Sequence, residues 1–250
     1  MTLSSLFILL FIGVIVGFIN VISAGGSLIS LPILIFLGLP SSVANGTNRI
    51  AILAQNLFAF IEFYKKGLIK WKLSLFLSVP AVVGSLIGAG LAIDLPDNVF
   101  NNTMAIIMVI VILLILIKPH QHLKLKNQEF TIFKKVILIL SFLIVGFYGG
   151  FIQAGVGFLI IAFLTIFASK FRLVEMHSIK TVVTSIYLLI STIIFIIHGQ
   201  VNWAYALVLA VGSGIGGWLG SRFAINVSEK LLKIIMAIVI FLMAAKLLFF

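Results

Sequence analysis

The sequence contains no cysteine, which excludes disulfides, cysteine-ligated zinc and thiol catalysis. Charged residues are also scarce, at 9% of the chain, while hydrophobic residues make up 62%. A soluble globular domain has about 25% charged and about 45–50% apolar residues. No water-soluble fold buries this much apolar surface, so the composition predicts a polytopic membrane protein. The net charge of +11 does not indicate nucleic acid as a partner, because Lys and Arg fall between apolar runs.

The apolar stretches predict an all-α integral membrane protein with ten elements. There is no Lys or Arg before Arg49, unlike the start of a cleaved signal peptide, so the first stretch is expected to be retained. A spanning helix needs about 20 apolar residues. Two stretches are too short, and each follows a glycine-rich break, SAGGS at 23–27 or QAGVG at 153–157. We expect about eight full spans and two half-helices. The stretches are 3–23, 27–39, 48–64, 73–93, 99–118, 134–152, 155–169, 180–197, 204–221 and 231–250.

The second half of the sequence repeats the first. Glycine and tryptophan agree across one frame, which favours duplication over chance similarity between apolar segments. The predicted domains are a first membrane repeat at 1–118, a cytoplasmic linker loop at 119–133 and a second membrane repeat at 134–250. The matches are Gly67 with Gly199, Trp71 with Trp203, Gly84 with Gly216, Gly88 with Gly220 and Ala92 with Ala224 at an offset of 132, and Ala24-Gly25 with Ala154-Gly155 at an offset of 130.

The distribution of Lys and Arg predicts the orientation. Loops rich in these residues stay cytoplasmic, and rich and poor loops alternate if all ten elements cross. Each half then has five elements, so the two repeats are inverted relative to each other and both termini face outside. An eight-helix arrangement, with each short element folded back beside its predecessor, breaks this alternation. The rich loops are 65–72, 118–135, 170–180 and 222–233, and the poor loops are 94–98 and 198–202.

Candidate site residues follow from this architecture. In inverted-repeat transporters the broken helices lie near the midplane, where backbone N–H groups and half-helix N-termini hold an anion. Arg49 and Lys180 open matching elements of the two halves and are predicted to flank that anion. Alternatively, the glycines serve helix packing and the two cations snorkel to the interface. The predicted substrate-binding residues are Ser23, Gly25, Gly26, Ser27, Asn45, Thr47, Asn48, Arg49, Gln55, Gln153, Gly155, Gly157, Lys180, Thr181 and Thr184, with Asn56 and Ser185 as further hydrogen-bond donors.

No catalytic residue, metal site or cofactor is expected. The sequence has no HExxH motif, no paired membrane carboxylates and no GxxxxGK[ST] motif, which disfavours an intramembrane enzyme and built-in ATP use. The four histidines have no partner at ligand spacing. Glu62, near a predicted cytoplasmic helix end, stands four residues before Lys66 and is interpreted as its partner in an ordinary helical ion pair. Proton coupling by Glu62 is the alternative. An anion channel or a non-transporting membrane scaffold stays open beside a secondary transporter working by alternating access.

Several motifs resemble the sulfite exporter TauE/SafE family of bacterial and archaeal membrane proteins. The resemblance covers nearly the whole chain. It implies transport of small sulfur-containing anions such as sulfite or organosulfonates, a multi-pass location in the cell membrane, and a homodimer. The implied partners are the anionic substrate and the lipid bilayer. The motifs are GFINVISAGGSLISLPILIFLGLPSSVANGTN at 17–48, QNLFAFIEFYKKGLIKW at 55–71, PAVVGSLIGAGLA at 80–92, GFIQAGVGFL at 150–159 and HGQVNWAYALVLAVGSGIGGWLGSRFA at 198–224.

Overall fold

The fold is known from a computed structural model. It describes residues 3–23, 25–103, 106, 132–168, 170–228, 230–232, 234–235 and 238. Within these ranges there is no strand, so the predicted all-α class is confirmed. The principal helices are α1 Leu3–Ser23, α2 Ser27–Phe36, α3 Ser41–Lys65, α4 Trp71–Ile93, α5 Ile132–Phe151, α6 Val156–Phe167, α7 Leu173–Ile197 and α8 Trp203–Asn226.

Five of these helices, α1, α4, α5, α7 and α8, are long and apolar enough to cross a membrane. The helices that follow the two glycine-rich breaks are short: α2 has 10 residues and α6 has 12. At about 1.5 Å per residue, neither reaches across the roughly 30 Å of a bilayer core. The predicted elements at 99–118 and 231–250, and the predicted linker at 119–133, lie mostly outside the described residues.

The predicted starts of two helices are wrong. The apolar pattern gave 48 and 180, whereas α3 begins at Ser41 and α7 at Leu173. The pattern failed because the first turns of both helices carry polar residues that pack inside the protein instead of facing lipid. The loop predicted at 170–180 therefore ends before α7, and Lys180 lies inside that helix, buried. It cannot be counted as a loop charge when orientation is assigned.

The same helix interface occurs twice in the structure. Helix α1 lies against α8, and α5 lies against α4. A Cβ on Gly17 would meet the carbonyl oxygen of Ser213 at 2.3 Å, and one on Gly146 would meet that of Ala81 at 2.0 Å. Such distances leave no room for any side chain, so glycine lets the backbones touch. Gly84, Gly88, Gly216 and Gly220 approach the partner backbone in the same way.

The two Lys-poor loops lie at one end of the helix bundle. The backbone N–H of Ser41, at the start of α3, donates to Asp97 Oδ1 at 2.8 Å. The hydroxyl of Ser42 donates to Gln200 Oε1, also at 2.8 Å. A carboxylate is favourable at a helix N-terminus, where free N–H groups point outward. Asp97 thus caps α3 from a neighbouring loop, which explains how the helix starts after Pro40.

Basic loops meet at the opposite end. Lys70 Nζ lies 2.7 Å from Glu175 Oε1, which ties the start of α4 to the start of α7. Arg222 Nε lies 3.2 Å from Glu62 Oε2 and joins the end of α8 to the end of α3. Glu62 also lies 3.8 Å from Lys65. Because Glu62 is nearly buried, these cations offset the cost of removing its charge from water.

Candidate anion site between the two helix breaks

The structure brings the two predicted breaks into direct contact. Ser27 Oγ, at the start of α2, accepts a hydrogen bond from the backbone N–H of Gly155 at 3.0 Å. The same hydroxyl donates to the carbonyl of Gln153 at 3.4 Å. Gly155 has φ +74°, in the left-handed region that favours glycine, and Gln153 has φ 65°. Among the described residues Gln153 is the only non-glycine with positive φ, so the second break holds locally unfavourable backbone of a kind that clusters at functional sites.

A small polar cavity of about 10 Å³ adjoins the breaks. It has room for about one water molecule. Among the described residues of its lining, Lys180 is the only charged side chain, and most of the others are amides and hydroxyls contributed by both halves of the chain. The lining residues are Asn20, Ser27, Ile52, Gln55, Asn56, Gln153, Gly157, Lys180 and Thr184.

Lys180 is a buried cation without an acidic partner among the residues that the structure describes. Its Nζ donates to the carbonyl of Asn20 at 2.7 Å and lies 3.5 Å from that of Val21, both in the last turn of α1. These carbonyls carry the negative end of the helix dipole. None of the ion pairs found within the described ranges includes Lys180. An ammonium has three N–H donors, so at least one stays available to a ligand in the cavity.

Some amide atoms beside the lysine also lack hydrogen-bond partners among the described residues. Asn56 Nδ2 and Gln55 Oε1 are buried and have no hydrogen-bond partner within the described part of the chain. Buried polar groups without partners are rare, so each requires an explanation. Gln153 Oε1 accepts from the hydroxyl of Tyr187 at 3.0 Å, which leaves the Gln153 NH₂ group as a donor. The cavity therefore combines one positive charge with several neutral donors, the set that an oxyanion needs.

Arg49 occupies a related but separate environment. Its Nη1 donates to Ser191 Oγ at 2.9 Å, its Nη2 donates to the carbonyl of Gly150, and its guanidinium lies 4.3 Å from the centre of the Phe195 ring. The residue is fully buried and does not line the cavity. Gly150 is in the last turn of α5, just as the carbonyls held by Lys180 are in the last turn of α1. Arg49, in the first half, thus binds the end of α5, which is the first helix of the second half. Lys180, in the second half, binds the end of α1, which is the first helix of the first half.

The predicted site residues divide into three groups. Six of them line the cavity: Ser27, Gln55, Gln153, Gly157, Lys180 and Thr184. Four others, Ser23, Asn45, Thr47 and Thr181, hydrogen-bond to protein atoms. Gly25, Gly26, Asn48, Arg49 and Gly155 are buried outside the lining set. Asn48 has no partner for either amide atom among the described residues. No three His, Cys, Asp or Glu side chains within the described ranges are grouped so that they could hold a metal ion.

Two cavity residues, Asn20 and Ile52, were not predicted from the sequence, and Asn20 is the polar one. It stands among apolar residues near the end of α1, and its carbonyl also receives the Lys180 hydrogen bond. A lone amide in a membrane segment directly before a break was the available signal, because such a group is costly in hydrocarbon unless it has a partner.

Gly26 is packed against α1 and is not open to a ligand. A Cβ at this position would lie 2.2 Å from the carbonyl oxygen of Val16 and 2.6 Å from Asn20 Cβ. The alternative of helix packing therefore describes Gly26 better than close approach of its backbone to a substrate. Gly155 differs, since its constraint is the positive φ.

Replacing Gly26 by Ala should therefore destabilise the protein. The methyl group would push α2 away from α1, and overpacking of this kind costs about 1–3 kcal/mol. Gly90→Ala in α4 is the matched control, because a Cβ there meets nothing within 4 Å. Thermal unfolding of both purified variants measures the difference, and equal stability would show that the α1–α2 contact tolerates a side chain.

This arrangement, apolar helices around a buried polar cavity between two broken segments, is that of a multi-pass membrane transport protein. A family model described as "Sulfite exporter TauE/SafE" matches residues 9–247, and the chain belongs to this family of membrane transporters. The resemblance predicted from the motifs is confirmed.

Relatives in several bacteria are similar over almost their full length. A "Probable membrane transporter protein" of Haemophilus influenzae is 27% identical over 243 residues, which is 97% of this chain and 94% of that protein. The "Probable membrane transporter protein YfcA" of Escherichia coli K12 is also 27% identical, with 97% and 89% covered. The "Probable membrane transporter protein YunE" of Bacillus subtilis is 26% identical, with 98% of each chain covered. No solved structure matches the chain significantly.

Proposed function

We propose that this protein is a secondary transporter for small sulfur-containing anions such as sulfite or organosulfonates, and that the cavity beside Lys180 is its substrate site. The supporting observation is the buried Lys180 ammonium, which has no acidic partner among the described residues and is surrounded by amide and hydroxyl groups. A charge in this position costs about 2.5–3.5 kcal/mol even on permissive scales, and a bound anion offsets that cost. The family description, a sulfite exporter, supports the substrate class.

Alternating access is the proposed mechanism. The cavity volume of about 10 Å³ fits about one water, which is less than a four-atom oxyanion needs, so the cavity has to widen to admit the substrate. Substrate entry and exit then require the site to open towards one side of the membrane at a time. In inverted-repeat transporters this occurs by rocking of one bundle against another around a fixed site.

Inversion of the two repeats is supported by the directions of three helices. Gly217 of α8 lies against Gln55 of α3, and Arg222 of α8 pairs with Glu62 of α3. From the first of these contacts to the second, the residue numbers increase in both helices, so α3 and α8 run in the same direction. Helix α4 follows α3 after a short turn and runs back. Helices α4 and α8 hold the same, fourth place in the two halves, and their opposite directions are what inversion requires.

The proposed topology puts both termini outside a bacterial or archaeal cell membrane. We expect a cysteine introduced at Asn98 to react with a membrane-impermeant maleimide in intact cells. A cysteine at Lys66 should react only after the membrane is permeabilised, because its loop belongs to the basic end. Both positions are exposed, and the wild-type chain contributes no background thiol. Labelling of both positions from the same side would contradict the topology.

Anion binding gives the direct test of the proposed function. Purified protein should be stabilised against heat by at least one of sulfite, sulfate, thiosulfate, taurine and sulfoacetate. A ligand at 100 times its Kd stabilises the folded state by about 2.7 kcal/mol. Sodium gluconate at equal ionic strength is the control for general salt effects. Absence of stabilisation by all five compounds would contradict the proposed substrate class.

A further inference from the structure

His177 is a buried titratable residue that the proposed transport site does not use. It lies in α7, one helical turn before Lys180, so the two side chains share a face of the helix. Its imidazole is fully buried, and neither ring nitrogen has a hydrogen-bond partner within the described part of the chain. A structural histidine normally uses at least one ring nitrogen. An ionisable residue in a membrane segment without such a role is a candidate for function.

Charged residues on the surrounding elements bear on whether the His177 imidazole can hold a proton. Lys180, three residues further along α7, is a basic side chain on the same face of the helix as the imidazole. The acidic residue of its own helix, Glu175, and that of α3, Glu62, are both engaged in ion pairs at the basic end. Helices α1 and α6 contain no charged residue, and the charges of α4 and α5 are lysines near their starts, such as Lys72.

We propose that His177 binds a proton when an anion binds beside Lys180, so that anion transport is coupled to proton movement. This inference rests on the proposed function. With the cavity empty, an imidazolium would put a second buried positive charge next to the ammonium, which low polarity makes unfavourable. An anion in the cavity offsets one or both charges, so proton and anion favour each other's binding. The free energy by which the bound anion favours proton binding equals the free energy by which the bound proton favours anion binding, because linkage between binding sites is reciprocal.

The internal repeat supplies a suitable variant. At the offset of 132, His177 corresponds to Asn45, the equivalent position of α3. Asparagine is therefore compatible with this place in a helix of the same length and similar packing, and it does not titrate. His177→Asn should fold and bind anion but take up no proton. His198→Asn is the matched control, since His198 is exposed in the turn after α7.

Calorimetric titration in buffers of different ionisation enthalpy tests the proposal. The probes are methanesulfonate, which keeps its charge between about pH 5 and 8 where histidine titrates, and sulfite, whose own proton uptake is subtracted. We expect wild-type protein and His198→Asn to take up as much as one proton per anion. Their affinity should rise as pH falls, by at most about tenfold per pH unit for one coupled proton. In His177→Asn both effects should disappear.

The possible failures are distinguishable. If wild-type protein binds neither probe, the proposed function fails and the inference fails with it. Wild-type binding without proton uptake overturns the inference alone, and this result does not depend on how any variant folds. Proton uptake that persists in His177→Asn, or in His177→Gln if the first variant is unstable, would assign the proton to another group and also overturn the inference.

Discussion

Replacing Lys180 by Met should weaken anion binding by about a hundredfold or more. The ammonium is the only charge that the described residues bring to the cavity lining. A charge-assisted hydrogen bond is worth about 1.5–3 kcal/mol, which by itself is about ten- to a hundredfold in Kd. Loss of the positive charge adds to this, since the remaining donors are neutral amides and hydroxyls. Lys180→Arg should retain part of the affinity because the charge is kept, although the larger guanidinium does not match the small cavity.

The fold should survive this substitution. Met has a similar length and removes a buried charge, which offsets the loss of the hydrogen bond to the carbonyl of Asn20. Lys72→Met, at the exposed start of α4, is the matched control and should bind normally. Equilibrium binding of the anion selected by thermal shift, measured on monodisperse protein, gives the comparison. A Kd for Lys180→Met within about twofold of wild type would remove the lysine from the site.

Replacing Arg49 by Met should destabilise the protein by about 2–4 kcal/mol. The guanidinium donates to Ser191 and Gly150 and stacks on Phe195, so it connects α3, α7 and the end of α5. Without it, the last turn of α5, which leads into the second break, loses its charged partner. Arg49→Lys should recover only part of the stability, because an ammonium lacks the planar fork that reaches two acceptors and the aromatic ring together.

Thermal unfolding and anion affinity, measured on the same samples, separate this expectation from the direct contact predicted from the sequence. A residue that binds substrate would lose about ten- to a hundredfold in affinity while stability stayed unchanged. Arg172→Met is the matched control, because its side chain is exposed and the helix cap made by its backbone N–H persists. Wild-type stability in Arg49→Met would contradict the structural role.

The breaks and the short helices after them could be predicted from the sequence, because glycine clusters in an apolar chain have few uses. The starts of α3 and α7 could not. A window that scores hydropathy treats Asn45 or His177 as a loop residue, whereas the folded protein buries both inside helices. In a membrane protein, a polar stretch can continue a helix when it faces other helices, and only tertiary packing shows which way it faces.

Arg49 and Lys180 illustrate the same limit within the candidate site. In the sequence both stand at the start of the corresponding apolar stretch of each half, so the sequence pattern predicts one role for them. The structure gives both a hydrogen bond to the end of the other half's first helix, yet only Lys180 lines the cavity. Neighbouring side chains make the difference: Phe195 and Ser191 cover the guanidinium, while amides and a hydroxyl surround the ammonium. Such neighbours come from distant parts of the chain and have no local sequence signal.

Counterflow in proteoliposomes tests whether the protein carries sulfite by alternating access through the cavity beside Lys180. Vesicles containing purified protein are loaded with unlabelled sulfite, and uptake of external radiolabelled sulfite is followed over time. The account predicts transient accumulation above equilibrium for wild-type protein and for Lys72→Met, because an alternating-access carrier exchanges substrate across the membrane. It predicts no accumulation for Lys180→Met. Equal counterflow by Lys180→Met would contradict the assigned site, and simple equilibration without overshoot in wild-type protein would contradict transport by alternating access and favour a channel.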